Sequence, residues 1–247
     1  MIYYFTGNGN SKWVAQQIAE ATGDELENMS DYIKSGTMPS HSIEYDCIGI
    51  VFPIHCWYAP QPVVQFLERL ALKPDAYRYV VCTYGDDCGK VALRLRRHFK
   101  FDSMWAVRMP NTYIPMFDLD SETIARLKVK DAREEIGYIA EDIVARKKKV
   151  RNVFQGIFPF SKTYPIHWLF YKFIVTSKGF EVSNSCTACG TCRDVCPVGN
   201  IHIEDARPQW ADHCIHCMAC VHSCPQRAID FKQATKKRGR YLLKRYL

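Results

Sequence analysis

Eight of the twelve cysteines in this 247-residue chain fall in two runs of identical spacing, Cys186-x2-Cys189-x2-Cys192-x3-Cys196-Pro197 and Cys214-x2-Cys217-x2-Cys220-x3-Cys224-Pro225. Thiolates are soft ligands, and a tight loop of cysteines three apart delivers three of them to one small cube of iron and sulfide. The fourth has to come from elsewhere in the chain. Two four-iron, four-sulfur clusters therefore suit the pattern. Zinc closes with four ligands, so a third cysteine at the same short spacing plus a distant fourth is surplus to it. A disulfide framework needs an oxidising compartment. The chain opens directly on the strand-like Met1-Ile2-Tyr3-Tyr4-Phe5, without a basic and then apolar leader, which reads as cytoplasmic.

Over residues 183–230, both prolines included, the segment resembles the bacterial 2[4Fe-4S] ferredoxins. In that family the last cysteine of each run crosses to the other cluster. The resemblance thus implies one cluster on Cys186, Cys189, Cys192 and Cys224, and its twin on Cys214, Cys217, Cys220 and Cys196.

A second chemistry sits at the other end of the chain. The first strand runs into Thr6-Gly7-Asn8-Gly9-Asn10-Ser11, and a helical pattern starts at once with Lys12-Trp13-Val14-Ala15. Turn N–H groups, a helix N-terminus and short hydroxyls together make an anion site that suits a phosphate. The Gly-Lys-Ser/Thr ending of a nucleotide-triphosphate loop is missing, and Lys12 stands where a dinucleotide fingerprint has its third glycine.

The stretch Tyr4 to Ser11 resembles the phosphate loop of flavodoxins, over about residues 1–145. That resemblance implies FMN, its phosphate held by Thr6, Gly7, Asn8, Gly9, Asn10 and Ser11. Its ring would be flanked by Pro53, Ile54, His55 and Trp57 after the third strand, and by Thr83, Tyr84, Gly85, Cys88 and Gly89 after the fourth. Trp57 and Tyr84 are the favoured ring neighbours. The loop after the third strand lacks the glycine that flavodoxins often place near flavin N5. His55 is a candidate donor there; Cys47, Cys56, Cys82 and Cys88 read as small buried hydrophobes.

The elements that must hold these residues follow a βαβ succession. Apolar runs at 2–5, 46–52, 79–83 and 105–109 alternate with helical patterns at 11–21, 62–72, 89–99 and 121–148. The expected class is α/β: a flavodoxin-like doubly wound, five-stranded parallel sheet of order 2-1-3-4-5, with a small α+β 2[4Fe-4S] ferredoxin-like domain after it. The divisions are 1–150 for the FMN-binding domain, 151–182 for an aromatic connector with a helix over 166–175, 183–230 for the cluster domain and 231–247 for a basic tail.

Residues 1–120 hold 11 basic and 14 acidic side chains, whereas 151–247 hold 14 and 6. The formal charge of +7 is offset by bound clusters and a flavin phosphate, so the tail reads as solvated or cluster-shielding, docking to an acidic partner comes second, and nucleic acid is a distant third. No apolar run reaches the length of a transmembrane segment.

The whole chain resembles bacterial flavodoxin-ferredoxin fusion proteins. This implies low-potential electron transfer between the clusters and FMN in oxygen-avoiding hosts, with a ferredoxin or an acceptor enzyme as redox partner. The alternative is an FMN-dependent reductase of a small molecule, with His55, Tyr58, Asp86, Asp87, Asn111 and Tyr113 around the substrate. Oligomeric state is not written in the sequence.

Overall fold

In the computed structural model, which describes residues 1–151 and 153–247, the first part of the chain alternates strand and helix. β1 (Ile2–Tyr4) and α1 (Asn10–Thr22) are followed by β2 (Leu26–Asn28), α2 (Met29–Ser35), β3 (Cys47–Pro53) and α3 (Gln61–Arg69). β4 (Tyr77–Tyr84), α4 (Val91–Leu95), β5 (Ser103–Arg108), α5 (Glu122–Val144) and β6 (Val150–Arg151) complete it. All strands pair parallel, in the order β2-β1-β3-β4-β5-β6. The first five give the flavodoxin-like order. β6 extends the expected five-stranded sheet at the β5 edge, and two residues are too few for any alternation to be read from sequence.

Alternate residues of the strands enter two different cores. Met1, Tyr3 and Phe5 pack with Met29, Val63, Phe66 and Leu95 on one face. Ile2 and Tyr4 pack with Val14, Ile18, Val129 and Ile136 on the other. Burial on both faces explains the near-continuous apolar runs of β3, β4 and β5. α5 buries Ala125, Val129, Ala132, Ile136, Ile139 and Ile143, a stripe at intervals of three and four that fits one helical face. Its start is capped by Ser121, whose hydroxyl accepts from Ile124 N at 3.4 Å. α1 stops at Gly23, in the left-handed conformation with φ 73°. α4 is much shorter than the 89–99 pattern suggests, and α2, seven residues capped by the Asn28 side chain, was too short for the periodicity to show.

The connector contains α6 (Pro159–Ser161), a π-helical turn at Lys162–Ile166 that accommodates Pro165, and α7 (His167–Phe173). The helical stretch therefore begins earlier than expected. Beyond it, β7 (Phe180–Val182) pairs antiparallel with β10 (Ile229–Phe231), enclosing α8 (Thr191–Asp194), the hairpin of β8 (Ile201–Glu204) and β9 (Arg207–Trp210), and α9 (Ala219–Ser223).

The C-terminal segment corrects an expectation. It is not a solvated tail: Phe231 belongs to β10, and the residues after it fold back over both halves of the molecule. Arg240 is buried against Asp230 at 2.8 Å, and Lys236 pairs with Glu181. Arg238 pairs with Asp118, beyond β5. Tyr241 is buried, its backbone N–H donating to His222 Nδ1 at 3.0 Å and its hydroxyl to Asn10 Oδ1 at 2.6 Å. Three of the seven basic side chains after Phe231 are thus held in ion pairs, while Lys232, Lys237, Lys244 and Arg245 stay exposed.

Candidate cofactor sites

The two cysteine runs adopt the same backbone. Ala188 and His216 take φ 55° and 59°, Gly190 and Met218 take 79° and 61°, and Gly199 and Arg227 take 66° and 49°, each pair 28 residues apart. Left-handed alanine, histidine and methionine at matching positions are strained unless the surroundings demand that shape. The hydrogen bonds repeat too: Asn200 N donates to Cys196 Sγ at 3.2 Å, and Ala228 N donates to Cys224 Sγ at 3.3 Å.

The thiols ring two small cavities, four to each. One is bounded by Cys186, Cys189, Cys192 and Cys224, with Ile203, Pro208 and Ile229 behind them. The other is bounded by Cys196, Cys214, Cys217 and Cys220, with Phe180, Val198, Ile201 and Ile215. Each run lends its last cysteine to the opposite cavity. Four thiols around an apolar void suit a cluster of iron and sulfide. Burial pushes the Cys214 thiol up to about 11 and Cys217 to about 12. Cys189 is exposed, and hydrogen bonding to Thr191, whose hydroxyl lies 3.3 Å away, lowers its thiol.

A third cavity, of about 640 Å³, lies at the carboxyl ends of β1, β3, β4 and β5, where the strand order reverses. Its floor carries Thr6, Gly7, Asn8, Asn10 and Ser11. Thr6 Oγ1 accepts from Gly9 N at 3.0 Å, closing the loop, and the buried Ser11 hydroxyl meets Thr83 Oγ1 at 2.8 Å. The α1 N-terminus has no side-chain cap. Free N–H groups, hydroxyls and a tight glycine turn fit a phosphate monoester.

Pro53, Ile54, His55, Cys56 and Trp57 form one side of this cavity, and Thr83, Tyr84, Gly85, Asp86 and Asp87 another. Three expected contacts lie outside it. Gly9 faces Leu243 of the C-terminal segment; Cys88 is buried in the same core as Cys82; Gly89, at φ 54°, packs against Thr163 and Trp57. Gly89 allows the connector to approach the β4 loop. Tyr58 is also outside, buried beneath the Arg94 guanidinium, which lies 3.9 Å from its ring centre. Asn111 and Tyr113 do line the cavity.

The remaining walls could not be read from sequence. Lys162, Ile166, Leu169, Phe170, Phe173 and Ile174 come from the connector, and Ile215, His216 and Cys217 from the second cysteine loop. The connector is tied down by Lys162 to Asp87 at 2.6 Å, Lys90 N to Thr163 Oγ1 at 2.7 Å and His167 Nδ1 to Cys56 O at 2.8 Å. The cysteine loop is tied by Asn8 Nδ2 donating to Cys217 O at 2.9 Å and by Tyr113 OH meeting His216 Nδ1 at 2.8 Å. Burial, then the neighbouring His216 and His167, lowers His55 to about 4, so its imidazole is neutral near pH 7.

Residues 185–229 match the sequence profile of the 4Fe-4S dicluster domain, and a second profile of that description matches residues 213–246. The "Ferredoxin-like protein in nif region" of Trichormus variabilis and that of Trichormus azollae are each 33% identical over 49 residues. The match covers 19% of this chain and 42% of each relative, so the chain spans under half the length of these curated relatives. Among solved structures, a Streptococcus pneumonia TIGR4 flavodoxin aligns with 59% of this chain and 97% of its own, at 16% identity and TM-score 0.40. The rubredoxin oxygen:oxidoreductase of Desulfovibrio gigas aligns over 59% and 36%, at 15% identity and TM-score 0.37.

Proposed function

We propose that this chain passes electrons between two 4Fe-4S clusters and an FMN, and exchanges them with an external redox protein such as a ferredoxin. The observation that carries this reading is the shared wall: the loop of Cys214, Cys217 and Cys220 lines both a four-thiol cavity and the cavity floored by the phosphate loop. When bound, the clusters supply one-electron steps and the flavin one- or two-electron steps.

The chain's own residues do the positioning. Cys196, Cys214, Cys217 and Cys220 hold the inner cluster beside the flavin site, and Cys186, Cys189, Cys192 and Cys224 hold the outer one. The exposed Cys189 marks where a partner reaches the outer cluster. Thr6, Gly7, Asn8, Asn10 and Ser11 hold the phosphate; Trp57 and Tyr84 offer flat faces to the ring. Tyr113 and Asn8 hold the cysteine loop against the flavin site through His216 and Cys217. Phe170, Leu169 and Phe173 restrict water over the cavity.

A second reading, FMN-dependent reduction of a small molecule, draws on the polar groups of His55, Asp86, Asp87 and Asn111 around the same cavity. Turnover of a small acceptor with no protein acceptor present distinguishes it.

The test is anaerobic stopped-flow mixing with reduced ferredoxin. Cluster absorption should bleach before flavin absorption. A Cys186→Ala variant that has lost the outer cluster yet reduces its flavin at the wild-type rate would sink the proposed route.

A further inference from the structure

The connector is built inside out. Its inward face is polar: Thr163 and His167 are buried, and the Tyr164 and Tyr171 hydroxyls point into the protein. Its outward face is apolar. Ile157 is 76% exposed, Phe158 77% and Trp168 57%, with Phe154 and Phe160 exposed beside them. A surface helix in water has the opposite arrangement, so something apolar covers this face.

Charge says what covers it. Between Asp142 and Glu181 the chain carries eight lysines and arginines and not one acidic side chain. Four of the eight are committed internally: Lys147 and Lys149 to Asp142, Lys148 to Asp102, and Lys162 to Asp87. Lys172 and Lys178 have no ion pair among the described residues, and the Lys172 ammonium lies 4.6 Å from the Trp168 ring centre and 5.3 Å from that of Phe173. A basic group on an apolar stem beside exposed aromatic rings is the arrangement of a segment lying at a lipid headgroup boundary. No helix among the described residues is long and apolar enough to cross a membrane, which leaves the in-plane orientation. A second copy would set the same positive charges against each other.

We propose that the connector docks flat on an anionic lipid surface through Ile157, Phe158 and Trp168, with Lys172 and Lys178 at the headgroups. Leu169, Phe173 and Ile174 line the large cavity, so docking sets that cavity's mouth at the lipid boundary. This inference goes beyond the electron-transfer reading and does not depend on it.

The test is sedimentation of the full-length chain with vesicles of phosphatidylcholine and phosphatidylglycerol, against phosphatidylcholine alone. Binding is expected to the anionic vesicles, to weaken as salt rises, and to fall roughly fivefold for each of Lys172→Gln and Lys178→Gln. Phe158→Ser with Trp168→Ser should abolish it, while unchanged circular dichroism shows that the fold persists. Absence of binding to anionic vesicles overturns the proposal. So does equal binding to neutral vesicles, or wild-type binding by the F158S/W168S variant. Salt-insensitive self-association removed by the same pair of changes, without vesicle binding, assigns the face to a second copy instead.

Discussion

Gly7 in the phosphate loop and Cys217 in the second cysteine loop touch across 210 residues of sequence: a methyl group on Gly7 would sit 3.0 Å from Cys217 Cβ and 3.5 Å from its Sγ. The 3.0 Å approach requires Cys217 to give by a few tenths of an ångström, and Cys217 is proposed to hold a cluster. Gly7→Ala should weaken FMN by about tenfold, the lower end of what overpacking costs. Gly7→Val should also slow flavin reduction through the clusters. Flavin fluorescence on binding and stopped-flow reduction check both, and unchanged values would show that the contact is incidental.

The crossed arrangement makes a counterintuitive prediction. Cys224 sits in the second run but borders the first cavity, and Cys196 does the reverse. Cys224→Ala should lower iron from about eight to about four atoms per chain while sparing the cluster beside the flavin. Cys196→Ala should remove that neighbour and leave the outer cluster. Iron analysis with electron paramagnetic resonance separates the two; loss of the flavin-proximal cluster in Cys224→Ala contradicts the assignment.

Acid stability follows from His55. Its folded value is about 4, against 6.5 for the free imidazole, because burial disfavours the charged form. The unfolded chain then binds the additional proton, so this residue's contribution is constant above 6.5 and is lost progressively as pH falls toward 4. The slope reaches at most about 1.4 kcal/mol per pH unit. Denaturant unfolding across that range should show a shallower dependence in His55→Gln than in the wild-type chain. Identical slopes would remove His55 from the explanation.

The C-terminal segment should behave as a clamp. Tyr241→Phe deletes a buried hydroxyl bonded to Asn10 and should cost about 1 kcal/mol. Arg240→Ala strips Asp230 of a buried partner and should cost about 3 kcal/mol. Midpoints of chemical denaturation measure both changes, and a truncation before Arg240 with wild-type stability would show that the clamp contributes nothing.

Legibility in the sequence tracked the range of the contacts. The cysteine runs and the loop from Thr6 to Ser11 are local patterns, where residue type and spacing state the geometry directly. The apolar runs of β3 to β5 and the stripe of α5 are likewise local, whereas the sheet order came with the flavodoxin resemblance, and β2, three half-buried residues, has no run of its own to read. Ile215, His216 and Phe170 as cavity walls, Tyr241 under Asn10, and Gly7 against Cys217 arise only when distant segments dock, and no local spacing encodes them. Cys88 and Gly89 illustrate the converse. They follow a strand whose end borders the cavity, yet the chain turns beneath it, placing Cys88 beside Cys82 and Gly89 beneath Thr163. The connector's reversed polarity was visible only as an aromatic run, because exposure is a property of the fold.

The central claim is that clusters and flavin share one conduction path in one chain. An anaerobic reductive titration of the reconstituted protein, followed at cluster and flavin wavelengths together, tests it most directly. Uptake of about four electrons per chain is expected, one for each cluster and two for the flavin, with both chromophores bleaching. Uptake of about two electrons with no flavin signal would contradict it.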